Sequence, residues 1–192
     1  TDEYLKIQPK SFEWDRGRDN PGHLLIVTEN SAIESLISSE TRILLMIESP
    51  LVNPDFYKWI AIPENYNKFA YVLTFNKELV ALNPDKFIWY PFGGCWILEG
   101  DRNIYKKSKN ISIVASGKTI TEGHRLRHSA IASFGHRIEG VYGRGYKEIA
   151  NKITSLHDYR YQIVIENDNC ADMFSEKLID CFVTGTIPIY WG

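Results

Sequence analysis

Cysteine is scarce in this sequence, and so are basic excess, long apolar runs and phosphate-loop glycines. Three cysteines, Cys95, Cys170 and Cys181, stand among 192 residues. They have no metal-ligand spacing and cannot form an even disulfide set, so buried or idle thiols are expected, which a reducing compartment fits. No stretch of about 18 apolar residues occurs, so no transmembrane helix is expected, and no signal peptide is visible. Lys and Arg total 22 against 24 Asp and Glu, a formal net charge of −2. That balance speaks against a general nucleic-acid binder. Neither a Walker lysine loop nor Gly-x-Gly-x-x-Gly is present. The run "YGRGYKEI", residues 142–149, has the wrong spacing for either and is expected to be a turn. Among five His, only His124 and His128 lie four apart, and they sit among arginines that would repel a cation. A metal site is therefore not expected. There is no internal repeat and no low-complexity segment.

What is abundant is apolar and aromatic. Hydrophobic residues make up 44% and aromatics 13%, with eleven Tyr and five Trp, which is enough for a folded core. Trp96 is assigned to that core, while Tyr57, Trp59 and Tyr66 stand open between core and sugar stacking. Strands are expected at 24–28, 42–47, 70–75 and 86–90, and a helix at 32–38. The run "RILLMI" at 42–47 has the continuous apolar character of a strand covered on both faces. A polar, basic stretch at 101–109 is read as a linker. After it come strands at 110–115, 137–141, 161–165 and 186–191, alternating with helices at 123–134, 146–156 and 172–183. The alternation predicts parallel sheets in an α/β fold, with ligands held at the carboxyl ends of the strands. The expected division is an N-terminal domain at 1–106 and a C-terminal one at 107–192.

Three places carry candidate chemistry. Asp172 is expected to cap the last helix, which puts Glu176 and Lys177 in its first turns. A lysine there opposes the helix dipole; it is either a solvated charge offset by Glu176 and Asp180, or a counter-charge for a bound phosphate. A second helix start collects His124, Arg125, Arg127 and His128. That is a poor beginning electrostatically but a good one for a diphosphate, since arginine presents a planar fork to phosphate oxygens. Third, Glu48 ends an apolar strand stopped by Pro50, and Glu166 and Asn167 end a strand in the second half. Each is either a polar strand terminus or a cleft-facing group.

These residues form a recognisable series. Ile165-Glu166-Asn167, then Ser175-Glu176-Lys177, then Gly185-Thr186-Ile187-Pro188-Ile189 resemble the donor-binding signature of the α-1,3-fucosyltransferases, glycosyltransferase family 10. "LLMIESPLVNP" resembles that family's Phe-Glu-Ser-Pro region, and Pro91-Phe92-Gly93 its Pro-Tyr/Phe-Gly element. "SIVASGKTITEGHRLRHSAIASFG" resembles the stretch that opens its donor domain. The likeness is strongest in the last third and colinear from about residue 42.

The resemblance implies a GT-B type fold: two Rossmann-like halves with parallel sheets, acceptor side first and GDP-sugar side second, the second half lacking its closing elements. It implies transfer of L-fucose from GDP-β-L-fucose to a hydroxyl of an oligosaccharide acceptor with inversion, an α-1,3 linkage, and no required cofactor. Glu48 matches the proposed base. Arg127 and Lys177 match the cations facing the leaving diphosphate, and Glu176 the carboxylate accepting from ribose. Asn167 matches the residue ordering the nucleotide loop, and Glu166 precedes it in the signature. Arg125 is either a second phosphate ligand or a neighbour, because the family's arginine aligns with either. Met173 stands where many relatives have Tyr. The alternative is a truncated, inactive relative that binds a nucleotide or glycan. A cytoplasmic location is preferred; a eukaryotic fragment would belong to the Golgi lumen.

Overall fold

The computed structural model of the protein describes residues 24–36, 41–91 and 93–192. They form two parallel four-stranded sheets with flanking helices, an α/β fold. The chain divides into two compact units, 24–48 with 54–90 and 49–53 with 91–192 among the described residues. Of the described residues, 91 and 93–106 thus belong to the second unit.

In the first unit the strands β1 (Leu24–Thr28), β2 (Thr41–Leu45), β3 (Tyr71–Thr74) and β4 (Phe87–Trp89) lie in chain order. Right-handed crossovers between strands laid down in order keep the connecting helices on one face. The core agrees with this. Ala32 of α1 (Glu29–Ser35), Phe56 and Ile60 of α2 (Pro54–Ile60), Tyr66 of α3 (Pro63–Tyr66) and Leu79 of α4 (Lys77–Leu82) all pack into one cluster with Val27, Leu44, Val72 and Phe87. The central strand β2 is therefore not equally covered on both sides. Leu44 and Met46 are fully buried, whereas Ile43 and Leu45, pointing the other way, are half-buried. The helix expected at 32–38 begins earlier, at Glu29, and the end of its expected range lies outside the described residues. Tyr66 and Trp59 are core residues: Tyr66 packs edge-on against Phe87 and Trp59 against Phe56 and Phe69.

The second unit has strand order β6-β5-β7-β8, with β5 at Lys109–Val114, β6 at Gly140–Tyr142, β7 at Tyr159–Ile165 and β8 at Ile187–Trp191. The chain moves from β5 out to β6 and then returns across β5 to β7. This reversal puts α5 (Glu122–Phe134) on one face and the 3-10 turn Lys152–Ser155 with α6 (Glu176–Phe182) on the other. On the second face Leu156, Val164, Cys181 and Ile97 make the core, and burial pushes the Cys181 thiol up to about 12.

Several expectations need correcting here. No α-helix forms at 146–156, only the 3-10 turn. Its run of Ile149, Asn151, Ile153 and Thr154 is weak in helix propensity. The stretch 101–109 is not a linker but part of the second unit, tied into it where the Lys107 ammonium donates to the carbonyls of Leu156, His157 and Thr184 and to Thr186 Oγ1. The last helix starts at Glu176 with Ser175 as its cap, and Asp172 instead takes a left-handed backbone, φ 64°. Strand β8 is parallel, as expected, but not buried. It pairs only with β7 among the described residues, and Ile187 and Ile189 are about half exposed. No helix among the described residues is long and apolar enough to cross a membrane.

Candidate functional site

Where strand order reverses, the carboxyl ends of the strands splay and leave a crevice. The second unit has one at the ends of β5 and β7, with a cavity of about 280 Å³. It is lined by Val114 at the end of β5, by Ala115 and Ser116 just beyond it, and by Ile163, Val164 and Ile165 of β7. Its charged lining is Arg127 from α5, Arg144 from the turn after β6, Lys152 from the 3-10 turn, and Glu176 and Lys177 from α6. Trp96 lines it as well and is 58% exposed, so the expectation that it is core fails.

Arg127 is buried, 6% exposed. Its Nε and Nη2 both donate to the Ile165 carbonyl, and Nη2 also donates to Asn167 Oδ1 at 2.9 Å. This fixes the guanidinium against the end of β7. Burial pulls its pKa down from the ordinary value while Glu166 and Glu176 push it back up, and arginine remains a cation under such shifts. Its Nη1 has no hydrogen-bond partner among the described residues, and the residue lines the crevice.

Lys177 sits between carboxylates. Its Nζ is 3.3 Å from Glu166 Oε2, 3.4 Å from Glu176 Oε1 and 2.9 Å from Ser175 Oγ. Glu166 is fully buried and also accepts from the Ser175 N–H and hydroxyl. The N–H of Lys177 turns to Ser175 Oγ. The start of α6 is thus occupied by a protein carboxylate and a hydroxyl cap, so ligand contacts fall to the side chains. Lys152 is held by buried Asp180, 2.6 Å away, and lies 3.6 Å from Glu176. Asp180 Oδ1 also accepts the Trp96 N–H at 2.7 Å. Glu176 is itself raised by burial, but Lys177 and Lys152 outweigh that and hold its carboxyl below the usual range. It is a charged acceptor in a cationic cleft.

The four basic residues at the start of α5 separate. His124 is buried and closes a capping box with Thr121. Burial first, then Arg127 and other cations, lower its pKa, so it is neutral at pH 7. Arg125 is exposed and donates to Thr119 and Ile120 carbonyls, away from the cleft lining. His128 bonds the Tyr146 hydroxyl and the Lys118 carbonyl. Only Arg127 reaches the cleft. Of the remaining expected residues, Asn167 and Glu166 stand behind it as partners of Arg127 and Lys177 rather than lining it.

In the first unit Glu48 is half-buried just beyond β2. Its N–H donates to Glu29 Oε1 at 2.9 Å, and its carbonyl accepts from the Tyr57 hydroxyl. Glu29, buried at 4% exposure, also takes the Ile47 N–H on the same oxygen. Arg144, Lys152 and Glu29 were not anticipated from sequence. The glycines flanking Arg144 were the one available signal; Lys152 and Glu29 depend on contacts distant in the chain.

An open α/β unit with a cation-lined crevice at a strand-order reversal is the class of protein that fold and site define. The chain is similar to the α-(1,3)-fucosyltransferase FucT of Helicobacter pylori, 40% identical over 48 residues. That stretch is 25% of this chain and 10% of the relative, so the chain matches about a tenth of that enzyme's length. No family model matches the chain.

Proposed function

We propose that the protein is an inverting fucosyltransferase of GT-B type, moving L-fucose from GDP-β-L-fucose to a hydroxyl of a glycan. The second unit holds the donor and the first, acceptor-side unit supplies Glu48 as base. The observation that carries this reading is the convergence of Arg127, Lys177 and Glu176 on one crevice. The short match to a fucosyltransferase supports it from outside. In the reaction the acceptor oxygen attacks the anomeric carbon and the bond from that carbon to the phosphate oxygen breaks. Glu48 takes the hydroxyl proton, and GDP leaves with the added negative charge. Arg127 Nη1 and the Lys177 ammonium meet that charge in a partly dry site, where such pairing is strong. Glu176, kept ionised by its lysines, accepts from ribose hydroxyls.

Titration calorimetry with GDP, followed by a turnover assay with GDP-fucose and lactosamine-type acceptors, tests this. A charge-assisted hydrogen bond is worth about 1.5–3 kcal/mol, so Arg127→Ala and Lys177→Ala should each weaken GDP binding about 10- to 100-fold. Glu48→Gln should bind GDP normally and lose about 10²–10⁴ in turnover, the usual contribution of a positioned base. Equal affinity in wild type and both alanine variants removes the donor site. Undiminished turnover in Glu48→Gln removes the base. GDP binding with no turnover in the wild type would mark a nucleotide-binding relative instead.

A further inference from the structure

Arg144 is the cleft residue with the least explanation from within the protein. The other cations there have local commitments: Arg127 to the Ile165 carbonyl and Asn167, Lys152 to Asp180, Lys177 to Glu166 and Ser175. Arg144 is exposed, lines the crevice, and has no hydrogen bond or ion pair among the described residues.

The turn that presents it is firmly built. Gly143 and Gly145 have φ of 112° and 94°, values that side-chain-bearing residues rarely adopt. A Cβ at 143 would collide with the Ala115 carbonyl, so β6 ends directly on the end of β5. The base of the turn is clamped by Gly143 N–H to the Lys147 carbonyl at 3.0 Å and Tyr146 N–H to the Gly143 carbonyl at 2.9 Å. Tyr146 is in turn tied to α5 through its hydroxyl and His128 Nδ1, 2.6 Å apart. Two positive-φ glycines and a three-point clamp hold an arginine that makes no hydrogen bond or ion pair among the described residues.

We propose that Arg144 is a second phosphate-binding arginine of the crevice. It engages the terminal phosphate of a nucleoside diphosphate, while buried Arg127 stays fixed at the end of β7. The inference rests on the nucleotide-diphosphate reading of the site. A guanidinium with its donors uncommitted can take two phosphate oxygens at once, which an ammonium cannot. Because Arg144 is exposed and unpartnered, replacing it leaves no buried group without a partner.

The test is calorimetric titration of wild type, Arg144→Ala and Arg144→Lys with GDP, GMP and inorganic pyrophosphate. Loss of a bidentate phosphate contact should weaken GDP and pyrophosphate about tenfold or more in Arg144→Ala. GMP should change by less than about threefold, and Arg144→Lys should recover only part of the loss. Unchanged GDP affinity in Arg144→Ala overturns the assignment, as does an equal loss for GDP and GMP. If the wild type binds pyrophosphate through Arg144 but not GDP, the anion site stands and the nucleotide reading falls. If it binds neither, both fall.

Discussion

A single carboxylate in the first unit does a structural job that its burial makes costly. Glu29 accepts the N–H groups of Ile47 and Glu48 on one oxygen, 2.6 and 2.9 Å away, and so shapes the turn that carries Glu48. Burial raises its pKa above the ordinary value; hydrogen bonds lower it by less, and the charge of Glu48 adds to the rise. A carboxyl raised in the folded state binds its proton more tightly there than in the unfolded chain. Its contribution to stability is therefore greatest at acid pH and falls as pH climbs from the unfolded value through the raised one. Glu29→Gln keeps an amide oxygen for both N–H groups and loses the charge. It should be neutral or slightly stabilising at pH 7 and flatten the pH dependence. Glu29→Ala leaves both N–H groups without an acceptor, and each such group costs about 1–3 kcal/mol. Urea unfolding at pH 5 and 7 separates these, and a Gln variant as weak as the Ala variant would show that the charge itself is needed. Glu29 could not be singled out from sequence, because its partners lie 18 and 19 residues away. Arg127, Glu176 and Lys177 were legible because an ordered series of short motifs marks them, although Glu166 and Asn167, from the same motifs, proved to be supports behind the cleft.

At the scale of elements, the approach of α5 to β7 is what places Arg127. Gly123 lies in the first turn of α5 against the Glu166 carbonyl oxygen and the Asn167 backbone, and a Cβ there would collide with both. Backbone cannot yield as a side chain tip can. Gly123→Ala should cost about 1–3 kcal/mol as an overpacked contact, and weaken GDP binding by displacing Arg127 one turn further along. Gly135→Ala, at the other end of the same helix with αR backbone and open space around it, is the matched control. It should be neutral or stabilising by up to about 1 kcal/mol. Thermal melts of both variants test the difference; equal destabilisation would mean that helix propensity, not close approach, governs position 123.

The elements legible beforehand were those whose own pattern suffices: all eight expected strands overlap β1 to β8, seven of them closely, and α5 begins one residue from its expected start. Those whose bounds shifted or that failed were decided by contacts. The strand expected at 137–141 forms late and short as β6: a 3-10 turn takes Gly135–Arg137, and only Gly140–Tyr142 finds the edge of β5. The start of α6 moved to Glu176 because Glu166, ten residues earlier, captures Ser175. An eligible cap such as Asp172 loses when a competing one is anchored by a buried partner.

At the scale of the whole molecule, the two sheets are wound differently, and that difference predicts where a nucleotide should act. Sequential order in the first sheet puts its helices on one face and creates no reversal; the order β6-β5-β7-β8 in the second creates one. If the crevice at that reversal is the donor site, GDP binding should stabilise the second unit and leave the sheet of the first unaltered. At 100 times its dissociation constant a ligand adds about 2.7 kcal/mol, or about 100-fold in protection, to amides that exchange only when the site opens. Hydrogen exchange with and without GDP should therefore slow at the ends of β5 and β7, in the turn at 143–147 and at 175–177. Amides of β2 and β3 should keep their rates. Protection that appeared instead along β2 and β3 would move the nucleotide to the first unit and leave Arg127 and Lys177 as structural charges. The same experiment on Arg144→Ala should show weaker protection at the same amides, since removing a contact lowers occupancy without relocating the site.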